Sequence, residues 1–323
     1  MTTAPDPDAP RLPERQRRRG PIITTIVVAA VVVIAVVVTL VLVNRPNGGS
    51  GAAAAGDDRP ARTVTIGIAD ISQPYWKTFA SLAKQRLNVT VKYVNFTDYS
   101  QPNPALKQQQ LDLNEFQHLQ YLANYNITSG DDLQPIGATA IYPLPLYSAK
   151  YDAASKLPAK AKVAIPNDAV NEARGLLVLQ SAGLLTLKGG GTAFSTTKDI
   201  ATAKIEVQPI DASQTATALK NGSVAAAIVN KNYAVDAGLP KSQVIARDDP
   251  SSAAAEPYVN AFVARKADAD DPVLIKLAAL YHTASVTDEV QRENGGDAVF
   301  ETWGPEKLQQ ILAKVQADAK AAQ

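Results

Sequence analysis

The sequence predicts an α/β protein with two lobes, preceded by one apolar segment near the N-terminus. Short runs rich in Val and Ile alternate with helical patterns over most of the chain, which is typical of βα units. The alternation covers residues 63–323, about 260 residues, and a single hydrophobic core is usually smaller than this. We therefore expect two lobes, each with a mainly parallel sheet covered by helices on both faces.

The apolar segment, residues 21–43, has the length of a transmembrane helix. Only three threonines interrupt its apolar run, and a helix of that length spans about 33 Å, more than the hydrocarbon layer of a bilayer. Five arginines lie in the Pro-rich tail 1–20, which we expect to be disordered and cytoplasmic. Residues 44–62 predict a flexible linker to an extracytoplasmic domain. A cleavage site at 52–55 is the alternative to a retained anchor.

Composition excludes several classes of function. The formal net charge is +1, so nothing favours nucleic acid as a partner. The chain has no cysteine, which excludes disulfides, thiolate nucleophiles and cysteine metal sites. It has two histidines, His118 and His282, too few for a histidine metal cluster, so we expect neither a metal nor a cofactor.

The first half of the folded part predicts four strands and three helices. The predicted strands are 64–68, 89–93, 112–116 and 136–142. Amphipathic spacing predicts a helix at 74–87, and the lack of Gly and Pro predicts another at 117–125. Asn103 and Pro104 predict a further helix start, with Asn103 as the cap and Pro104 as the first helical residue.

The second half continues the alternation of strands and helices. The predicted strands are 162–165, 205–207, 224–229 and 258–264. The predicted helices are 171–182, 213–220, 271–286 and 305–317. The glycines at 189–191 follow a helix but do not begin one, so we expect a loop rather than a phosphate-binding turn.

One stretch, residues 112–122, combines three candidate ligand-binding side chains. Phe116 lies at the predicted end of a strand, and His118 and Tyr121 share one face of the predicted helix that follows. Small ligands of open α/β sheets bind at such strand-to-helix junctions. The alternative is that these side chains serve only packing and surface roles.

Other polar and aromatic residues also fall at or near the predicted carboxyl ends of strands. They are Asp70, Ser72, Tyr142, Asn167, Asn230 and, within the last strand, Asn260. Arg174 lies in the first turn of the predicted helix 171–182, where a guanidinium can bind a carboxylate through two parallel hydrogen bonds. A solvated helix arginine and, for Asn230, a turn role are the alternatives.

No pattern for catalysis emerges. The chain has no Gly-x-Ser-x-Gly motif, and His118 has no nucleophile with a supporting pattern. The adjacent acids fall in polar segments, where we expect them to be solvated; they are Asp131–Asp132, Asp248–Asp249 and Asp270–Asp271. We therefore expect a binding protein rather than an enzyme.

Several short motifs follow one another in a specific order between Val64 and Arg265. They are Phe96-Thr97-Asp98-Tyr99-Ser100-Gln101-Pro102-Asn103, Phe116-Gln117-His118 with Tyr121, Ile141-Tyr142-Pro143, Ala164-Ile165-Pro166-Asn167-Asp168 with Asn171 and Arg174, Ala226-Ala227-Ile228-Val229-Asn230 with Tyr233, and Pro257-Tyr258-Val259-Asn260. In this order and spacing they resemble the methionine-binding, NlpA-type substrate-binding lipoproteins of ABC importers. The combination is far more specific than any single motif.

The resemblance implies a two-lobed periplasmic-binding-protein fold of type II, with the ligand in the cleft and a hinge that closes on it. Lobe 1 would comprise about 63–141 and 256–323, and lobe 2 about 142–255. The implied site has Phe116, His118, Tyr121 and Tyr142 around a thioether side chain, Arg174 on the α-carboxylate, and Asn171, Asn230 and Asn260 near the amino and carboxylate groups. The implied partners are a methionine-like amino acid and the permease and ATPase subunits of an ABC transporter.

The chain departs from this family in three places. It lacks the lipidated cysteine that members usually carry, and the segment 21–43 takes the place of that anchor. Where the family tends to have a Gly-Pro turn after the first strand, this chain has Ala69-Asp70-Ile71-Ser72-Gln73-Pro74, which alters one wall of the cleft. Glu172 and Ala173 precede Arg174 where the family tends to have an apolar residue and then Gly.

These departures leave the ligand open among L-methionine, D-methionine, a methionyl peptide and another small anionic or zwitterionic molecule. Two alternative functions also follow from the sequence. One is a ligand-sensing extracytoplasmic domain that signals to a membrane partner. The other is an extracytoplasmic enzyme that uses His118 as a base.

Overall fold

The structure of the protein, a computed structural model, describes residues 60–321. The tail 1–20, the apolar segment 21–43 and most of the linker 44–62 lie outside the described residues, so those expectations stay predictions. Between residues 60 and 321, no helix is both long enough and apolar enough to cross a membrane.

Lobe 1 is the part of the chain built around a six-stranded sheet. Its strands are β1 (Arg62–Ile68), β2 (Val89–Asn95), β3 (Leu113–Glu115), β4 (Gln134–Ile141), β12 (Val259–Ala264) and β13 (Val299–Phe300). They lie in the order β13-β4-β12-β3-β1-β2. β1 is parallel to β2 and β3, β12 is antiparallel to β3 and β4, and β13 is antiparallel to β4. The strands β1 to β4 therefore all point one way, and the two late strands point the other way.

Lobe 2 is the part built around a five-stranded sheet. Its strands are β5 (Pro145–Tyr147), β6 (Lys162–Pro166), β9 (Glu206–Ile210), β10 (Ala226–Ile228) and β11 (Val244–Arg247), in the order β11-β5-β10-β6-β9. β6 is parallel to β9 and β10, whereas β5 is antiparallel to β10 and β11. A separate hairpin pairs β7 (Leu185–Leu187) with β8 (Ile200–Ala203).

The described residues form nine α-helices. They are α1 (Tyr75–Leu87), α2 (Pro102–Lys107), α3 (Leu119–Ser129), α4 (Ala169–Ser181), α5 (Ala212–Lys220), α6 (Lys231–Asp236), α7 (Pro272–Ala279), α8 (Ala284–Glu293) and α9 (Pro305–Ala321). A 3₁₀ helix, Ala253–Tyr258, leads from lobe 2 back into β12 of lobe 1.

Each lobe has a hydrophobic core of its own, with one apolar cluster on each face of its sheet. In lobe 1, Phe79 of α1 stacks on Phe262 of β12 at 5.6 Å between ring centroids, and Trp76 packs beside both. The opposite face of the same sheet holds Leu122 of α3 and Leu308 of α9. The two clusters of lobe 2 contain residues of that lobe alone. The lobes are therefore separate packing units that meet at the ends of their strands.

The prediction of mainly parallel sheets is wrong, because each lobe contains strands that run against its βα units. β4 ends at the cleft, and β5 begins there after a three-residue connection across the lobes. β12 begins at the same edge after the 3₁₀ helix. A strand that enters directly from the other lobe starts where the parallel strands end, so it must run in the opposite direction.

Several element boundaries also differ from the predictions. The predicted helix 271–286 is two helices, α7 and α8, separated by a 3₁₀ turn in which Tyr281 is buried against Trp76 and Phe262. α2 begins at Pro102, so Asn103 is not its cap but a buried residue inside it. The short strands β5, β7, β8, β11 and β13 were not predicted, because two to four residues are too few to show an alternating pattern.

Candidate functional site

A cavity of about 110 Å³ lies between the lobes, at the edge where β1, β3 and β4 end and where β5 and β12 begin. Its volume is several times the roughly 10–15 Å³ that one water molecule needs. All eight predicted ligand-binding residues line this cavity: Phe116, His118, Tyr121, Tyr142, Asn171, Arg174, Asn230 and Asn260. The fold thus brings side chains from both lobes to one place.

Of the other three residues predicted at strand ends, one lines the cavity and two do not. Asp70 lines the cavity. Ser72 and Asn167 do not, because the Ser72 hydroxyl donates to Asp236 at the exposed rim and Asn167 is exposed to solvent.

His118 is fixed at the junction between β3 and α3. Its backbone forms an antiparallel bridge with Asn260, and its side chain is the N-cap of α3, where Nδ1 accepts a hydrogen bond from the backbone N–H of Tyr121 at 3.2 Å. The helix begins at Leu119, so the prediction that His118 and Tyr121 share a helix face is wrong. Burial lowers the pKa of His118 to about 3, and the charge of Arg174 contributes to this decrease. The imidazole is therefore neutral at physiological pH.

An aromatic cluster forms the wall of the cavity next to His118. Phe116 lies 5.9 Å from both Tyr99 and Tyr121, measured between ring centroids, and Tyr99 lies 5.0 Å from Tyr233 of lobe 2. Tyr99 lines the cavity but was not among the predicted site residues. Its place in the motif that begins at Phe96 was the available signal.

Arg174 lies in the second turn of α4, not the first as predicted, and is 5% exposed. Its Nε donates to Asp248 Oδ2 at 2.7 Å, and its Nη2 donates to the carbonyl oxygen of Tyr142 at 2.8 Å. Its Cζ lies 4.1 Å from the ring centroid of Tyr258, and the His118 ring lies 5.2 Å from that same ring. The guanidinium and the imidazole therefore flank one tyrosine at the cavity.

The expectation of solvated acid pairs is wrong for several members. Asp248 forms the ion pair with Arg174 and accepts a hydrogen bond from the backbone N–H of Leu144 at 2.7 Å. Asp131 pairs with Lys107 at 2.8 Å, and Asp271 caps α7 and pairs with Arg62 at 2.6 Å. In each case a cation distant in the sequence supplies a contact that a local pattern does not reveal.

Three asparagines complete the polar side of the cavity. Asp168 caps α4 and accepts a hydrogen bond from Asn171 Nδ2 at 3.0 Å, while Asn171 Oδ1 accepts one from Asn230 Nδ2 at 3.1 Å. Asn260 Nδ2 donates to the carbonyl oxygen of Ala140 at 3.2 Å. Asn230 makes no side-chain cap bond to α6, and its buried Oδ1 has no hydrogen-bond partner in residues 60–321. Asn230 therefore carries an acceptor that the described chain leaves unused.

Two buried acids, Asp70 and Glu115, line the lobe 1 side of the cavity. Asp70 accepts hydrogen bonds from the Tyr75 hydroxyl and from Trp76 Nε1, the latter at 2.7 Å, and Glu115 Oε1 accepts one from Thr139 at 2.8 Å. Burial raises the pKa of Asp70 to about 6 and that of Glu115 to about 8. Glu115 was not a predicted site residue, and its position in a short strand between Asn114 and Phe116 gave no signal.

Polar contacts across the lobes enclose the cavity, and most of them involve α6 or the segment after it. The Tyr233 hydroxyl donates to the carbonyl oxygen of Thr97 at 2.9 Å, and Tyr99 donates to Asn232. Asp297 of lobe 1 forms ion pairs with two cations of lobe 2, Lys241 at 2.7 Å and Arg247 at 2.8 Å. The structure thus shows the lobes closed over the cavity.

Sequence comparison places these features among known proteins. A family profile described as NlpA lipoprotein matches residues 64–303. A probable D-methionine-binding lipoprotein MetQ of Pasteurella multocida (strain Pm70) is 33% identical over 258 residues, which cover 75% of this chain and 91% of the relative. Outer membrane lipoprotein 2 of Mannheimia haemolytica is 37% identical over 218 residues, which cover 67% of this chain and 77% of the relative.

Solved structures are similar over the same region. The substrate-binding protein of a methionine transporter from Streptococcus pneumoniae is 34% identical, with a TM-score of 0.69 and coverage of 75% of this chain and 96% of that chain. A nutrient-binding protein from Burkholderia cenocepacia bound to methionine is 34% identical, with a TM-score of 0.68 and coverage of 75% and 100%. The similarity therefore spans nearly the whole of each solved chain.

Proposed function

The chain belongs to the NlpA lipoprotein family, and from this premise we propose a function for the cavity between its lobes. The protein is a solute-binding protein of an ABC importer and has the two-domain α/β fold of such proteins. Its ligand is methionine or a related amino acid or short peptide, which it delivers to the permease. The observation that best supports this is the convergence of eight polar and aromatic residues from both lobes on one buried cavity.

The polar side of the cavity suits the charged end of an amino acid. Arg174 uses Nε and one Nη2 hydrogen within the chain, so its Nη1 group remains to bind the α-carboxylate. The unused Oδ1 of Asn230 accepts a hydrogen bond from the α-ammonium, and Asn171 and Asn260 flank the same end. A zwitterion that leaves water needs such partners, because an unpaired buried charge is strongly unfavourable.

The aromatic side suits an apolar side chain. Phe116 and Tyr121 form an edge-to-face pair, and a thioether sulfur gains about 0.3–1.5 kcal/mol against such rings. His118 is neutral, so it adds a further ring without a charge. We also propose that the cavity binds without catalysis, because His118 Nδ1 is occupied by the N–H of Tyr121 and burial keeps the ring from acquiring a proton.

We propose that lobe 1 comprises 63–141 and 256–323 and lobe 2 comprises 142–255, in a type II arrangement. The membership of the strands supports this division, because every strand of the six-stranded sheet falls in the first set and every strand of the five-stranded sheet in the second. The lobes open about the two crossings to admit the ligand and close on it through the contacts of α6.

We propose that the segment 21–43 anchors the protein in the cell membrane as a single span. Its length and the five arginines before it support this orientation, with 1–20 in the cytoplasm and the binding domain outside. In this arrangement the linker 44–62 lets the domain reach the permease and ATPase complex. A chain that is extracted from membranes by alkaline carbonate would contradict the anchor.

The experiment that tests the function is calorimetric titration of the full-length chain with L- and D-methionine. Arg174→Ala should weaken binding by about 2 kcal/mol or more, roughly thirtyfold, because a charged hydrogen bond in a closed cleft is lost. Arg86→Ala, which removes an exposed arginine of α1, is the matched control and should bind as the wild type does. Absence of binding across a panel of amino acids would contradict the proposal.

A further inference from the structure

The lobe 1 side of the cavity carries more acceptor groups than an apolar ligand side chain can use. Glu115 is 7% exposed, and within the described chain only its Oε1 receives a hydrogen bond, so Oε2 has no protein donor. Each carboxylate oxygen of Asp70 receives one donor and has room for a second. We call these two residues, Asp70 and Glu115, the acidic wall.

A second acceptor on the same cavity is also unsatisfied. Asn294, at the end of α8, is 8% exposed and lines the cavity. Its Nδ2 donates to the carbonyl oxygen of Val290 at 2.7 Å, but its buried Oδ1 has no partner among residues 60–321. Buried polar atoms are rarely left unpaired in native proteins, so this oxygen can accept a hydrogen bond from a molecule bound in the cavity.

The acidic wall is also not neutralised by the protein. None of the ion pairs in the described part of the chain joins a lysine or arginine to either acid. Of the two cations on the lining, Arg174 is already paired with Asp248. Burial is the largest influence on the pKa of Lys231 and lowers it. The main acid that opposes this shift is Asp297, which does not belong to the acidic wall.

The pKa values of Asp70 and Glu115 agree with the lack of a paired cation at the acidic wall. Burial raises the pKa of both acids, and the charge of Asp70 adds to the increase at Glu115. A cation placed beside Asp70 and Glu115 would stabilise their ionised forms and so offset the desolvation cost that burial imposes.

We propose that the acidic wall is a subsite for a cationic group at the end of the ligand's side chain, so that, among amino acids of the size of methionine, the site prefers one with a basic side chain. This rests on the proposed function, because the α-carboxylate and α-ammonium still bind at Arg174 and the asparagines.

Ornithine matches methionine in size and carries the charge that the acidic wall would select. Its side chain has the same number of non-hydrogen atoms as those of methionine and norleucine. Ornithine and norleucine differ only in the terminal group, an ammonium in one and a methyl in the other. Their comparison therefore isolates the effect of the charge from that of shape.

The test is calorimetric titration of the full-length chain with L-ornithine, L-norleucine and L-methionine, together with competition between them. We expect the wild type to bind ornithine about tenfold or more tightly than norleucine, because a charged hydrogen bond is gained. Glu115→Gln and Asp70→Asn keep the size of the side chains and should remove most of this preference. Glu306→Gln, which removes an exposed acid of α9, should preserve it.

Three results would overturn the inference. If norleucine and methionine bind as tightly as ornithine or more tightly, the wall does not select a cation, and the proposed function stands without it. If Glu115→Gln weakens all three ligands equally, the wall serves the α-ammonium instead. If none of the three binds, the proposed function fails together with the inference. The competition on the wild type needs no variant, so misfolding of a variant cannot decide the result.

Discussion

Glu115 shows how one buried side chain links the cavity to the pH dependence of folding. Burial raises its pKa from the ordinary 4.5 to about 8. The folded protein keeps a proton on Glu115 up to about pH 8, whereas the unfolded chain releases it near its ordinary pKa. Between these values the folded state binds more protons, so the stability from this group is present at acid pH and is lost as pH rises.

We expect Glu115→Gln to abolish this loss, because glutamine does not ionise. The free energy of unfolding of the variant should rise relative to the wild type as pH increases from about 5 to about 8. His118 has a lowered pKa of about 3, so it destabilises both proteins as pH falls below its ordinary 6.5, and its effect cancels in the comparison. Urea unfolding at several pH values measures the difference, and a difference that is independent of pH would contradict a raised pKa.

The sequence predicted eight of the residues that line the cavity but not the partners of their charged groups. Phe116, His118 and Arg174 lie in motifs whose order along the chain is visible without a structure. Asp248 lies 74 positions from Arg174, and its neighbours are polar, so the sequence indicates only a solvated loop. Glu115 was missed because a charged residue in a three-residue strand has no pattern from which its burial follows.

Among the helices, α4 has a capping residue that also orients two of the asparagines that line the cavity. Asp168 Oδ1 accepts hydrogen bonds from the backbone N–H of Asn171 at 2.9 Å and from its side chain at 3.0 Å. Asn171 in turn accepts the amide hydrogen of Asn230. The start of the helix and the orientation of two cavity asparagines therefore depend on one carboxylate.

We expect Asp168→Ala to lower the free energy of unfolding by about 1 kcal/mol, the usual loss for an N-cap, and also to weaken ligand binding. Asp211→Ala is the matched control, because Asp211 caps α5 through the N–H of Ser213 at 2.8 Å but does not line the cavity. The control should lose similar stability and keep its affinity. Thermal unfolding and calorimetry separate the two effects, and equal losses of affinity would show that Asp168 acts only on stability.

For the helices and strands, the length of each element decided how well the sequence predicted it. Long amphipathic segments such as α1 and α9 were found close to their observed bounds. The break between α7 and α8 was missed because Leu280, Tyr281 and His282 continue the apolar spacing of a helix. Only the packing of Tyr281 among the aromatic rings of lobe 1 explains why the chain turns there.

For the whole molecule, closure depends on polar contacts between the lobes. Asp297 of lobe 1 bridges Lys241 and Arg247 of lobe 2, and its side chain is 20% exposed. Half-exposed ion pairs contribute little each, about 0.2–1 kcal/mol, and salt screens them. Two such pairs are enough to shift the balance between open and closed lobes modestly.

We expect Asp297→Asn to weaken ligand binding by about two- to fivefold at low salt and by less at high salt, because the closed form loses both ion pairs. Asp318→Asn is the matched control, since it breaks an ion pair with Lys314 inside α9 and does not join the lobes. Calorimetry at two ionic strengths measures the change. An affinity that is unaffected at low salt would mean that these pairs form equally in the open protein.

The two-lobed arrangement was predictable at this scale, whereas the direction of the strands was not. Chain length and the alternation of strands and helices indicated two α/β lobes, and the resemblance that the motifs carry predicted a ligand site between them. The antiparallel strands β5 and β12 follow from where the chain crosses, which no local pattern records.

The position of β12 constrains the order in which the strands of lobe 1 can pair as the chain is made. β12 lies between β4 and β3 in the interior of its sheet, yet it is made only after every strand of lobe 2. Lobe 2 can complete its sheet as soon as residue 247 has emerged, while the strands synthesised first wait with an empty place between them. During that interval the exposed edges of β3 and β4 are open to wrong pairing, so the nascent chain is most vulnerable to aggregation while its second half is being translated.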